Sequence, residues 1–274
     1  MAGYIGKSQG VTQVDGYNRS EADAEFVNDP NDVITVSGSN VGIGTTSAST
    51  IDSANTSGNL VVGSGSGSEG ITVYSGSTNL GSLCFADGTT STATYAGYFT
   101  YNHSSNHMEF GTGSTERMRI DNAGRITAPY QPTFSAWNLA SGSQYATSVN
   151  TWGTADTILN NWSSPKWSVE TNVGSCFNTS NGKFTAPVAG KYRIFASTVW
   201  WLAAQNTYMV LYKNGTQGSP YATALGSSVY IPTTISRVMT LSANDTVEIG
   251  FYIQSSSNLI PGSAYIQFSG ELIG

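Results

Sequence analysis

The chain has 274 residues, and its 11 lysines and arginines against 17 acidic residues give a formal net charge of −6. Only 10% of the residues are charged, against about 25% in an average globular protein. Phosphate binding requires several positive charges on one face, so this acidic balance argues against nucleic acid as a partner. Because 39% of the residues are hydrophobic, we expect a folded core rather than disorder.

The sequence carries no window of eighteen apolar residues and no secretion signal near Met1, so we expect no membrane insertion. Cys84 and Cys176 lie far apart without metal-ligand spacing, and we interpret both as buried or unreactive thiols. These features are typical of assembly in a reducing cytoplasm.

Composition shifts along the chain predict four segments. Residues 1–33 are polar and acidic, with one candidate helical turn at Ser20–Phe26, and we expect them to fold only on docking to another protein. From residue 33 onwards, short apolar strands recur between Gly/Ser turns, at 33–36, 41–43, 60–62 and 71–74, and they define a second segment, residues 34–79. Strands this short do not bury a face by folding back on their own chain, so we expect several chains to contribute to a thin shaft.

Residues 80–128 show the alternating apolar and polar positions of longer antiparallel hairpins, which predicts a small β module. The stretch Pro129–Pro132 marks the next boundary, because prolines favour extended linkers. Residues 129–274 then carry many strand patterns, with turn residues at Asn181-Gly182 and Asn214-Gly215. The fold class is therefore all-β, and the last segment is a sandwich or jelly roll.

Several spaced motifs of the last segment resemble a known family. They are Asn172 and Phe177, the run Gly182–Ile194, Tyr212–Gly215, Leu241–Val247, and the closing run Tyr265–Ile273. The segment is similar to the globular heads of the q subunit of the first complement component, a branch of the tumour-necrosis-factor-like jelly rolls. This resemblance implies a ten-stranded jelly-roll head that packs as a tight homotrimer.

A second resemblance concerns residues 1–128. The phrases Val41-Gly-Ile-Gly-Thr45, Gly81–Gly88, Glu116–Asp121 and Gly3–Lys7 resemble phrases repeated in virion fibres of tailed bacteriophages, especially marine and cyanobacterial phages. The resemblance implies that residues 1–33 anchor the chain to another virion structural protein. It also implies a virion location after assembly in the cytoplasm of the bacterial host.

Strand reversals then predict which loops of the head face the host. If the head enters and leaves at its shaft-facing base, the loops 214–227 and 255–262 are distal. We therefore expect receptor contacts at five residues: Asn214, Gln217, Tyr221, Tyr230 and Asn258. Amides and tyrosines suit a cell-surface glycan, since they hydrogen-bond hydroxyls and stack on sugar rings, although a protein receptor and ordinary solvated turns remain alternatives.

Two further groups have weaker patterns. Trp200 and Trp201 are consecutive on a predicted strand, so they point to opposite faces, and the outer ring lies at a subunit interface or stacks on a ligand. His103 and His107 flank a hairpin tip and form either a cross-strand pair or, tripled around an axis, a metal site. We predict the plain pair, and hence no metal and no cofactor.

The pattern does not favour an enzyme. With two histidines, no serine–histidine–carboxylate triad is evident, and the few acidic residues of the head are not paired for glycoside hydrolysis. The sequence therefore predicts a non-enzymatic, homotrimeric phage virion fibre that attaches to the host surface. The alternative is a purely structural capsid, neck or tail fibre whose head serves as a trimerisation clamp.

Overall fold

The computed structural model describes residues 34–37, 40–45, 47–55, 60–139, 144–145, 150–158, 166–201, 207–218, 222–224, 230–254, 259–260 and 265–274. Its contacts divide the chain into two units, residues 1–82 and 83–274. The predicted helical turn at Ser20–Phe26 and the whole segment 1–33 lie outside the described residues.

The first unit contains three short strands that pair with one another. They are β1 (Ile34–Ser37), β2 (Asn40–Ile43) and β3 (Leu60–Val62), with helix α1 (Ala48–Asn55) between the last two. β1 and β2 are antiparallel, whereas β2 and β3 are parallel. The expectation that one chain could not pair such strands was therefore wrong, because the α1 crossover brings β3 alongside β2. The contribution of further chains to this segment stays a prediction. The strand expected at residues 71–74 is also absent from this described stretch.

A hairpin module follows, formed by a five-stranded sheet in the order β4-β5-β6-β7-β8. Its strands are β4 (Leu80–Phe85), β5 (Gly97–Asn102), β6 (His107–Thr112), β7 (Thr115–Ile120) and β8 (Ile126–Thr127), and a 3-10 turn spans Ser91–Tyr95. Alternation in the sequence predicted β4 to β7, which are confirmed. Gly111 faces Tyr98 across β5 and β6, and a Cβ atom there would lie 2.1 Å from the Tyr98 ring.

The rest of the second unit is a two-layer sandwich, called the head below. Sheet one has the order β10-β21-β15-β22-β9-β12, with β19 also paired to β15. Its strands are β9 (Thr133–Asn138), β10 (Gln144–Tyr145), β12 (Trp167–Val173), β15 (Gly190–Trp201), β19 (Tyr230–Leu241), β21 (Leu259–Ile260) and β22 (Gln267–Leu272).

Sheet two has the order β13-β14-β20-β16-β17, with β11 paired to β20 and β18 paired to β16. Its strands are β11 (Trp152–Thr154), β13 (Phe177–Asn178), β14 (Lys183–Thr185), β16 (Thr207–Lys213), β17 (Thr216–Gln217), β18 (Ala222–Ala224) and β20 (Thr246–Ile253), and the short helix α2 (Ala155–Ile158) follows β11. The predicted all-β class and the jelly-roll head are confirmed.

The core lies between these two sheets and is rich in aromatic rings. Phe134 of sheet one stacks on Phe177 and Phe184 of sheet two, with ring centroids 4.9 and 5.0 Å apart. Phe268 of sheet one meets the same ring edge-on at 5.0 Å. On the neighbouring strand β22 of the same sheet, Gly270 pairs with Phe134, and a Cβ atom at Gly270 would lie 2.7 Å from the Phe134 ring. The glycine is therefore required by the bulk of its neighbour rather than by its own backbone.

Candidate functional site

The two turns at one end of sheet two contain the first of the predicted receptor residues. Asn214 has φ +51° and Gly215 has φ +74°, the left-handed pair expected for this turn. The Asn214 side chain is already engaged, since its Nδ2 donates to Asp245 Oδ1 (2.7 Å) and its Oδ1 accepts from the Thr246 backbone N–H (2.7 Å). This amide holds two turns together.

Asp245 is the centre of that arrangement, which we call the base cluster (Lys213, Asn214, Ser242, Asp245 and Thr246). Its carboxylate also accepts from Lys213 Nζ at 2.8 Å and from the Ser242 backbone N–H at 2.8 Å. Hydrogen bonds from Asn214, Lys213 and Ser242 lower the pKa of the Asp245 carboxyl from 3.8 to about 2. The geometry is that of a structural clasp between the β16–β17 and β19–β20 turns.

The base cluster lies at the end of the head where the chain enters and leaves. The Ala186 N–H donates to the Asp245 carbonyl, Gly190 pairs with Leu241, and the Leu272 N–H donates to the Pro132 carbonyl. Asn214 and Gln217 are therefore at the base, and their predicted distal position was wrong. The error has a physical reason: β17 pairs with β16 near the base, and β18 pairs with the part of β16 nearer the distal end.

Tyr230 does lie at the distal end. It begins β19 opposite Trp201, the last residue of β15, and its side chain is 56% exposed. Tyr221 and Asn258 lie outside the described residues. Of the five predicted receptor residues, Asn214 and Gln217 thus lie at the base and Tyr230 lies at the distal end. The other two are not described. Binding by any of the five stays a prediction.

The outward face of sheet one is broad, and its charged side chains include Glu170, beside the shallow cavity, and Lys191 near the base. It presents Trp137, Phe195 and Val199, each partly exposed, among small polar side chains such as Ser135 and Ser269, which join Trp137 and Phe195 in lining one shallow cavity. An exposed ion pair between Arg193 and Glu271 (2.8 Å) lies towards the base. A face of this composition resembles the interior of a subunit interface more than an ordinary solvated surface.

The outward face of sheet two carries a row of three partly exposed aromatic rings. Trp152 of β11 pairs in register with Tyr252 of β20, which pairs with Tyr208 of β16. Their ring centroids are 5.2 Å apart for Trp152 and Tyr252, and 5.8 Å apart for Tyr252 and Tyr208. We call these three residues the aromatic row.

Comparison with protein families decides the nature of the head. Residues 166–273 match the model of the C1q domain. The head is a C1q/TNF-like jelly roll. Domains of this type form homotrimers and act in trimerisation and binding rather than in catalysis. No curated protein matches the chain.

Solved structures of low identity also align with the C1q-type head. The globular domain of zebrafish complement 1qA is 20% identical and covers 53% of this chain and 98% of its own, with a TM-score of 0.37. Eiger TNF from S. frugiperda is 8% identical, covering 53% and 94%, with a TM-score of 0.37. Murine APRIL at pH 8.5 is 7% identical, covering 52% and 99%, with a TM-score of 0.34.

The motif residues of the C1q-type head serve its fold. Asn172 spans the turn that follows β12, donating to the Phe177 carbonyl (2.9 Å) and accepting from the Phe177 N–H (3.0 Å). The Tyr192 hydroxyl is buried and donates to the Val188 carbonyl at 2.8 Å. Trp200 fills the core and packs edge-on against Phe251. The side chain of Trp201 lies outside the described set.

Below the C1q-type head, the hairpin module has two unlike faces. One face is apolar and solvent-exposed in the single chain. Its most exposed side chains, which we call the apolar patch, are Leu83 (57%), Phe85 (56%), Phe99 (43%), Met108 (40%) and Ile126 (66%). A single subunit therefore leaves a hydrophobic sheet face without cover.

The opposite face of the module carries a linked set of polar side chains. His107 Nδ1 lies 2.8 Å from the Ser105 hydroxyl, and His107 Nε2 lies 2.6 Å from Glu109 Oε1. Arg119 donates to Glu109 at 2.9 Å and to Glu116, and this bond lowers the pKa of the Glu116 carboxyl. Both ring nitrogens of His107 are thus engaged within the hairpin.

The described part of the chain contains neither a metal-binding cluster nor a membrane-spanning helix. There, no group of three or more histidine, cysteine, aspartate or glutamate side chains has the geometry to hold a metal ion. Among the same residues, no helix is long and apolar enough to cross a membrane. The two cysteines are unlike: Cys84 is exposed and Cys176 is buried. Of the expected buried or unreactive thiols, Cys176 is the buried one, and the unreactive character of Cys84 stays a prediction.

Proposed function

We propose that this chain is the subunit of a homotrimeric, non-enzymatic virion fibre of a tailed bacteriophage, whose head attaches the particle to the surface of its host. The observation that carries the proposal is the C1q domain at residues 166–273, a type of domain that forms homotrimers. It follows a hairpin module whose apolar face has no cover in one chain.

The apolar patch supports self-association through its size. A large aromatic side chain has about 150–250 Å² of surface, so five large apolar side chains near half exposure present roughly 500 Å². A standard interface buries about 800 Å² on each partner. The patch alone therefore supplies more than half of that area, and the partly exposed Trp137, Phe195 and Val199 of sheet one add to it.

Chain connectivity makes another copy of the module the expected occupant of the patch. The module continues into the head through residues 128–132, with the Gln131 N–H donating to the Ala128 carbonyl. Three heads in one trimer hold three modules at a high effective concentration, so even weak mutual contacts form. Packing against each other, the three apolar faces are removed from water.

The virion role is supported by the fibre-like phrases of residues 1–128, such as Val41-Gly-Ile-Gly-Thr45 and Glu116–Asp121. In this proposal, residues 1–33 bind another virion structural protein, and the distal end of the head binds a host-surface glycan or protein. Assembly takes place in the cytoplasm of the bacterial host. The acidic chain contacts neither nucleic acid nor the membrane interior, and it needs no cofactor.

One observation favours a second candidate function. Asn214 and Gln217, two of the five residues selected for receptor contact, lie at the base, and Asn214 is fixed within the base cluster. A head with that arrangement also suits a purely structural capsid, neck or tail fibre, in which it serves as a trimerisation clamp and another protein recognises the host.

The self-association is tested by the position of one thiol. In the full chain, Leu83→Cys combined with Cys84→Ser moves an exposed thiol by one residue, from the polar face of β4 to its apolar face. We expect the wild type to sediment as a trimer and the thiol introduced at position 83 to react at least about tenfold more slowly than Cys84, because a second copy covers it. If the thiol at position 83 and Cys84 react at equal rates in a trimer, the apolar patch does not lie in the interface. A monomeric wild type would refute the trimer.

The attachment role is tested on particles. Deletion of residues 129–274 should abolish adsorption to the host while residues 1–33 still incorporate the shortened chain, which mass spectrometry of purified virions checks. Unchanged adsorption by particles that contain the shortened chain would favour the structural fibre instead.

A further inference from the structure

The aromatic row lies on the side of the head that the proposed subunit interface does not use. Met209, Phe251 and Ile253 of the same strands are fully buried between the sheets. Since side chains alternate along a strand, Tyr208 and Tyr252 point away from that core, and Trp152 joins them from β11. All three rings are partly exposed. Sheet two, rather than sheet one, therefore presents aromatic surface that stays accessible in a trimer.

The row is held by backbone pairing and not by flexible loops. Trp152, Gly153 and Thr154 pair with Tyr252, Phe251 and Gly250 in sequence. On the other side, Tyr208 pairs with both Tyr252 and Thr223. The Trp152 ring lies 6.0 Å from the Tyr208 ring as well as 5.2 Å from the Tyr252 ring, so the three rings form one compact group. Such fixed rings lose little conformational freedom when a ligand binds.

The surroundings of the row carry no unpaired charge among the described neighbours. Outside the row, Tyr208 pairs in register with Thr223, and Gly250, two residues before Tyr252, has no side chain. The nearest charges along the chain are Asp156, which forms an ion pair with Lys166, and Glu248, whose Oε1 lies 3.2 Å from Lys183 Nζ. The three rings are tilted by 39–61° to one another, and an aromatic group with neutral neighbours does not select a phosphate or a carboxylate. It suits a neutral ligand that has an apolar face and a polar rim.

We propose that the aromatic row binds a neutral hexopyranose unit of a host-surface glycan. The C–H face of the sugar ring packs on one of these rings, and its hydroxyls reach the exposed Thr223 side chain beside them. This assignment rests on the proposed attachment function. Each trimer presents three such rows, so weak single contacts give a firm but reversible hold on a repetitive polysaccharide.

The test uses the full-length trimer and saturation-transfer NMR with methyl glycosides of glucose, galactose and mannose and with N-acetylglucosamine. At least one probe should bind the wild type. Tyr252→Leu should weaken that binding about tenfold, the effect known for loss of one stacking ring. Tyr252→Phe should retain it, because the ring and not the hydroxyl carries the stacking. The matched control is Tyr130→Leu, an exposed tyrosine of the linker, which should bind as the wild type does.

Trp152→Leu removes a second ring of the aromatic row and should also weaken binding of the probe. Sedimentation and circular dichroism show whether the trimer of this variant is intact. Absence of binding by all four probes, or equal binding by Tyr252→Leu and Tyr130→Leu, would overturn the site. Virions carrying Tyr252→Leu separate the two proposals. If they adsorb normally while head-deleted virions do not, attachment stands and the aromatic row is excluded; if head-deleted virions also adsorb, the attachment function itself fails.

Discussion

Replacement of Phe134 by alanine should destabilise the head more than any substitution on its surface. The Phe134 ring is 1% exposed and contacts three further rings, two of them in the opposite sheet. Phenylalanine-to-alanine changes in cores cost about 3–5 kcal/mol, and aromatic pairs contribute about 0.5–1.5 kcal/mol beyond their buried area. Because the two sheets hold the surrounding rings in place, the cavity collapses poorly, and we expect about 4–5 kcal/mol.

Urea unfolding followed by tryptophan fluorescence measures this loss at a fixed protein concentration. With a slope of about 2 kcal/mol per molar urea, the midpoint should fall by about 2 M. Val188→Ala, at a position 46% exposed, is the control and should change stability by less than about 0.5 kcal/mol. A loss below about 1.5 kcal/mol for Phe134→Ala would show that the stacked rings do not join the two sheets.

Three further predictions concern single groups. The pKa of the Asp245 carboxyl is lowered from 3.8 to about 2, so its contribution to stability is present above pH 4 and is lost as the pH falls towards 2. Asp245→Asn should therefore weaken the loss of stability at acid pH, as measured by unfolding followed by circular dichroism. The same acid dependence in both proteins would contradict the clasp. Burial raises the pKa of the Cys176 thiol to about 11, so thiol titration at pH 8 should detect Cys84 in the native protein and Cys176 only after unfolding. The buried hydroxyls of Thr198 and Thr233 have no hydrogen-bond partner among the described residues. Changing either threonine to valine should therefore raise the free energy of unfolding by about 1–3 kcal/mol. A lower free energy of unfolding, measured by urea titration, would show that the hydroxyl has a partner.

Local patterns predicted those parts of the fold that depend on local chemistry. Alternation located β4 to β7 and the long strands of the head, and Asn214-Gly215 predicted the left-handed turn that the structure contains. Helix α1 was missed because its sequence, Ala48–Asn55, has no strong apolar stripe. The strands β17 and β18 were missed because they are two and three residues long, which is too short for alternation to be visible in the sequence.

The candidate sites depend on pairing between distant segments, and single-strand patterns do not contain that information. Alternation places Tyr208 and Tyr252 on one face, but the register that aligns them with Trp152 is set by strand pairing across the sheet. The role of Asn214 likewise depends on Asp245, more than thirty residues away in sequence. Predicting a turn from Asn-Gly is straightforward, whereas predicting which end of the sandwich it occupies requires the full strand order.

The position of Gly274 beside β15, at the same end as Pro132, has a practical consequence. A tag fused after the last residue would emerge next to the linker and leave the tip unobstructed. For the same reason, another β-sandwich domain whose two ends lie on one side could replace the head without a change in the hairpin module. Exchange of the head would then place its junctions at one end of the sandwich, in the short stretch between Ala128 and Pro132 and beside Gly274.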